Sequence, residues 1–280
     1  DSEDTMIDPL DYKEPACALC GGEAFYNFDP KKPQGHIPVD AVIRKLDDCL
    51  ARENYAEGAR VLRYWIEDAR SLNDRRGEIS VQNEVLGLSR RIGDKPWGLA
   101  AVERCLQLIA EIGGEGLLST ATILLNAATT CKAFDQPERA LPLYDKAKAV
   151  YERELHKTDL RFAALYNNLA TTLTALSRFD EAEENYRAAL RILEQNPDTA
   201  PDRAVTLVNL ADLYAAKEAP ETEVENLLLS AFALLEDPET VHDEEYAFVC
   251  RKLSEAYGYY GFFKQAKRLT ERADAFYAGA

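Results

Sequence analysis

The residues with the clearest chemical potential are two thiols near the N-terminus, Cys17-Ala-Leu-Cys20, followed by Gly21 and Gly22. Two thiolates at this spacing chelate Zn²⁺, and glycines behind them let the backbone turn. A tetrahedral site needs two further ligands, and the chain has no second CxxC. His36 and Cys49 are the nearest candidates, at irregular spacing. The motif therefore reads as a zinc half-site shared between two chains, or as a degenerate knuckle without metal. A thioredoxin-type redox role lacks its βαβ context. Elsewhere there is no Gly-rich phosphate loop, no GxSxG and no HExxH. The three histidines (36, 156, 242) are scattered, and the paired acids Glu183-Glu184 are helix neighbours that do not face each other. No catalysis is expected, and no cofactor apart from the zinc alternative at Cys17 and Cys20.

A second constellation emerges only through an internal repeat. Stepping in frames of 42 residues (40 at the first step) gives Gly58, Gly98, Ala140, Ala182, Val224 and Ala266. Four residues on, the frames read Leu62, Val102, Tyr144, Tyr186, Leu228 and Thr270. Seven on they read Trp65, Cys105, Ala147, Ala189, Ala231 and Ala273, and eleven on Ala69, Ile109, Tyr151, Leu193, Leu235 and Tyr277. Offsets of 0, 4, 7 and 11 lie along one stripe of an α-helix, so every frame holds an amphipathic helix burying the same face. Only Thr270 breaks the pattern.

A second helical pattern precedes each of these, as in LYNNLATTLTAL before SRFDEA. Breakers or small polar residues separate the two: Asn54, Gly93-Asp94, Asp135-Gln136-Pro137, Ser177 and Glu218-Ala219-Pro220. No segment alternates like a strand. The expected fold is all-α, a solenoid of six helical hairpins. An extension over 1–38 precedes units at about 39–73, 74–114, 115–157, 158–199, 200–240 and 241–280.

These residues resemble the tetratricopeptide repeat. The first helix supplies a small residue at Ala128, Ala170 and Ala211, and the second supplies the pairs Ala140/Ala147 and Ala182/Ala189. The 42-residue spacing is similar to the longer variety of kinesin light chains. The resemblance implies a right-handed superhelix whose first helices line a concave groove, with an extended peptide or protein segment as its ligand. Asn126, Asn168 and Asn209 occupy one equivalent position, two residues before the small alanine. A carboxamide both donates and accepts, so it can pair with a ligand's peptide unit, and groove asparagines do so in peptide-binding members of the family. Thr129, Thr171 and Thr172 can add contacts, and Lys132, Arg161 and Arg203 can meet carboxylates. The alternative is that these asparagines bridge neighbouring helices inside the stack.

Charge bounds the partners. With 33 Lys+Arg against 49 Asp+Glu, the net charge is −16. Nucleic acid and anionic lipid both require a basic surface, so neither is expected. The first helices of units 3–5 hold one acid, Asp212, within their central segments, so the groove is expected to be neutral to mildly positive and its ligand neutral to acidic. The opening residues lack a secretory pattern, and six cysteines without framework spacing read as reduced thiols. A cytoplasmic scaffold is expected, with homo-oligomerisation open. The alternatives are a peptide-sensing regulator acting through a partner, and a metal- or redox-responsive protein working through Cys17 and Cys20.

Overall fold

The computed structural model describes residues 33–279. Among them lie twelve α-helices: α1 (Val39–Ala51), α2 (Tyr55–Ser71), α3 (Arg75–Ile92), α4 (Lys95–Glu111), α5 (Leu118–Ala133), α6 (Pro137–Glu154), α7 (Leu160–Ala175), α8 (Phe179–Leu193), α9 (Ala200–Ala216), α10 (Glu221–Glu236), α11 (Glu244–Tyr259) and α12 (Phe263–Gly279). Consecutive odd and even helices pack as antiparallel hairpins, the arrangement of an all-α repeat solenoid. The chain divides into two compact units, one ending at His156 and the other beginning at Lys157.

The hairpin turns share one device. The residue just past each odd-numbered helix is left-handed: Glu53, Gly93, Asp135, Ser177, Glu218 and Gly261, with φ from 54° to 81°. The next amide then bonds the carbonyl five residues back, as in Asn54 N to Cys49 O, Arg178 N to Leu173 O and Phe262 N to Tyr257 O. This closure satisfies carbonyls that the helix end leaves without partners. The following helix begins on an N-cap in several hairpins, Asn54 accepting from Glu57 N and Asp94 from Trp97 N.

The repeat stripe is the core. Ala140, Ala147, Ala182, Ala189, Ala231 and Ala273 are fully buried, as are the larger residues between them, Tyr144, Tyr186 and Leu228. Thr270 is exposed, and Tyr277 is partly so; both lie on α12. The stripe thus weakens only where the array ends. Gly98 stands where later hairpins carry alanine or valine, because a Cβ there would collide with the Phe134 ring and the Ser89 hydroxyl.

Each unit also carries an ionic knot between hairpins. In the first, Glu78 on α3 is almost wholly buried. Arg104 of α4 grips it with two bonds of 2.8 and 2.7 Å, and Arg70 of α2 adds a third at 2.8 Å. Burial pushes the Glu78 carboxyl up, but the Arg104 and Arg70 hydrogen bonds outweigh it and hold it below the ordinary carboxylate range. In the second unit, Glu183 of α8 accepts from Lys217 at 2.7 Å, Arg187 at 2.7 Å and the Tyr214 hydroxyl at 2.8 Å. Desolvation opposes them, yet the net effect takes its pKa down to about 2. These networks clasp adjacent hairpins together.

Candidate functional site

Within the first unit α3 and α5 pack side by side, and within the second α7 packs on α9 and α9 on α11. The asparagines occupy these contacts and the faces beside them. Asn126 is buried, and its Nδ2 donates to Oδ1 of Asn83 at 2.9 Å, joining α5 to α3. Asn209 Nδ2 donates to Asn167 Oδ1 at 3.2 Å, joining α9 to α7. Both bonds run from the repeated asparagine to an asparagine on the preceding odd-numbered helix, one bond in each unit. Two of the three repeated asparagines therefore bridge neighbouring hairpins, the second of the two readings open from sequence.

Asn168 differs. It is half-buried on α7, and its backbone carbonyl accepts from the hydroxyls of Thr171 at 2.8 Å and Thr172 at 3.0 Å. Its carboxamide makes no hydrogen bond among the described residues and can serve a ligand. The three positions share a place in the repeat but not a job.

The remaining predicted contacts are dispersed. Thr129 returns its hydroxyl to Leu125 O at 3.0 Å and lies 3.4 Å from Tyr144 Oη. Lys132 forms no ion pair among the described residues, and burial lowers its pKa. Arg161 is committed, its guanidinium holding Asp159 through two 2.9 Å bonds while Asp159 also caps α7. Arg203 lines a cleft of about 350 Å³ with Asn196, Thr199, Asp243 and Glu245, at the loops joining hairpins of the second unit.

Cys17 and Cys20 lie outside the described residues. Their nearest candidate co-ligands are engaged elsewhere: Cys49 is buried in α1, and His36 Nδ1 stands 3.3 Å from Asp74 Oδ1. Among the described residues no group of three or more His, Cys, Asp or Glu could hold a metal ion. Cys105, Cys131 and Cys250 are buried, free thiols whose pKa values burial pushes up, so they act as small hydrophobes. No helix of the described residues is long and apolar enough to cross a membrane.

Three elements of this surface are absent from the sequence reading: Asn83, Asn167 and the pairing of Asp212 with Tyr260. Asn83 sits one residue ahead of position 84, the frame position 42 residues before Asn126, whereas Asn167 lies 42 residues before Asn209 but beside the repeated Asn168, which draws attention away from it.

Residues 161–236, covering α7 to α10, match the tetratricopeptide repeat family. The hairpins α7–α8 and α9–α10 are thus similar to tetratricopeptide repeats. Among solved structures, the chain is similar to the nearly identical TPR-like repeats of a putative kinesin light chain from Podosopora anserina. That pair is 20% identical with a TM-score of 0.50, covering 71% of this chain and 94% of the other. It is also similar to a Rap protein solved in complex with Competence and Sporulation Factor, at 14% identity and a TM-score of 0.52, covering 86% and 77%. At such identities the likeness is one of fold. A search of the curated proteins finds no match.

Proposed function

We propose that this protein is a non-catalytic binding scaffold that holds an extended peptide or protein segment against the faces of its odd-numbered helices. The observation that carries this reading is Asn168 on α7, whose carboxamide makes no hydrogen bond among the described residues and whose backbone carbonyl accepts from the Thr171 hydroxyl. A carboxamide there can give a donor and an acceptor to one peptide unit of a ligand without reading its side chain. Asn209 lies next to it through Asn167 and keeps that face of α9 in register. Thr129, Thr171, Lys132 and Arg203 are secondary contacts in this reading, and Asn126 contributes by bracing α5 on α3. The tetratricopeptide-repeat fold supports it, since such arrays present long surfaces suited to extended partners.

The test is affinity capture with two baits, the wild-type chain and Asn168→Ala, from lysate of the source organism. A protein retained by the wild type and lost by the variant supports the reading. Equal retention by both removes Asn168 from the site.

A second reading has a small signalling peptide as the ligand, with the chain regulating a partner. The fold shared with the Rap protein complexed with Competence and Sporulation Factor favours it. Zinc at Cys17 and Cys20 is a separate proposal, decided by the metal content of the purified chain against Cys17→Ser.

A further inference from the structure

On α9, one turn beyond Asn209, stands Asp212. It is the only acid on α9 after Asp202, and α7 has none. Asp212 is exposed as a residue, and its carboxylate has one hydrogen-bond partner among the described residues: the Tyr260 hydroxyl, just past α11, which donates to Oδ1 at 2.6 Å. Several acids elsewhere in this unit have cations. Glu183 has Lys217 and Arg187, Asp159 has Arg161, Glu236 has Arg268 and Arg272, and Asp274 has Arg251. Asp212 forms no ion pair among the described residues. Packing around its carboxyl raises its pKa, and the Tyr260 hydrogen bond opposes the rise.

The surroundings are aromatic and hydroxyl-bearing. Tyr259 packs edge-to-face on Tyr260, with centroids 5.2 Å apart, and is 85% exposed. Tyr186, beneath, is near enough for the Asp212 charge to add to the burial that raises its phenol pKa. A carboxylate held by a tyrosine hydroxyl, with a second, exposed ring packed on that tyrosine, is chemistry that receives an ammonium or guanidinium: the carboxylate pairs with the cation, and an aromatic face attracts it through its quadrupole.

We infer that Asp212, with Tyr260 and Tyr259, forms the receiving site for one Lys or Arg side chain of the bound segment. This rests on the proposed placement of that segment along α7 and α9. It adds what the asparagines cannot supply, a fixed register. Asn168 can hold any peptide unit, whereas Asp212 selects which residue lies opposite it. It also departs from the neutral-to-acidic ligand expected from sequence, by requiring one basic residue at this end.

The test is selection of a phage-displayed library of random linear peptides on the full-length chain, its Asp212→Asn variant and its Asn168→Ala variant. Asparagine at 212 still accepts from the Tyr260 hydroxyl, so circular dichroism and melting temperature should match the wild type. The expected result is that the wild type enriches peptides with Lys or Arg at one fixed position, and that Asp212→Asn enriches peptides without it. Replacing that residue with norleucine in a selected peptide should weaken wild-type binding about tenfold, which is about 1.4 kcal/mol, and leave binding to Asp212→Asn unchanged. Peptides enriched with no fixed basic residue, or the same basic preference on Asp212→Asn, would overturn the Asp212 assignment and leave the groove standing. Enrichment of no peptide at all, or enrichment untouched by Asn168→Ala, would overturn the groove placement and this inference with it.

Discussion

Asn126 and Asn83 meet inside the first unit with Nδ2 and Oδ1 2.9 Å apart, and both side chains are buried. The pair is an inter-hairpin strut. Removing one partner leaves the other's polar group without a bond and away from water, which costs about 1–3 kcal/mol. Asn126→Ala should therefore lower unfolding free energy by that amount in urea. Asn168→Ala, which removes a carboxamide with no partner, should stay within about 0.5 kcal/mol of wild type. Similar losses for both would mean that Asn168 is also structural.

Glu78 makes a parallel case. Its carboxylate is buried between Arg104 and Arg70, which are themselves partly exposed and keep Glu111 and Glu67 as second partners, so Glu78→Ala removes three hydrogen bonds without burying an unpaired charge. Losing such bonds to a buried group costs about 1–3 kcal/mol. Chemical denaturation of the variant should show a loss of that size, and a loss under about 1 kcal/mol would contradict the buried network.

Four of the six hairpin turns place a side chain in the left-handed region that glycine occupies at Gly93 and Gly261. Ser177, at φ 57°, is the plainest of them. Ser177→Gly relieves that strain at some entropic cost, so a net gain of up to about 1 kcal/mol is expected. Gly261→Ala should lose a comparable amount. Thermal melts of the two variants moving in opposite directions from wild type would confirm the turn geometry.

The Glu183 network predicts a pH dependence. Its carboxyl titrates at about 2 in the fold, against about 4.3 for an unperturbed Glu. A carboxylate with a lowered folded pKa stabilises the protein above its unfolded value, and that contribution fades as pH falls toward the folded one. Urea melts of wild type and Glu183→Gln should thus differ most above about pH 5 and converge as the pH approaches about 2. A constant difference across that range would contradict the Lys217–Glu183 pairing.

Much of the fold is legible in the sequence because the stripe from Ala182 through Tyr186 and Ala189 to Leu193 repeats with small residues where helices touch. Small residues at close contacts are a packing requirement, and they leave a periodic trace. Thr270 broke the period, and it is exposed on α12. The site was less legible. Asn126, Asn168 and Asn209 look alike in sequence, yet within their own units Asn126 and Asn209 meet an asparagine of the preceding odd-numbered helix, Asn83 and Asn167, and nothing in the repeat marks those partners. The Asp212–Tyr260 bond spans 48 residues and no periodic pattern announces it.

The central claim is that a partner lies along the odd-numbered helices rather than on the outer faces of the even-numbered ones. The most direct test places a photo-crosslinking amino acid at Thr171, beside Asn168, and in a second chain at Glu184, exposed on α8. Irradiated in source lysate, the Thr171 position should yield a discrete covalent adduct that the Glu184 position does not. An adduct formed from Glu184 alone, or equally from both, would contradict this account.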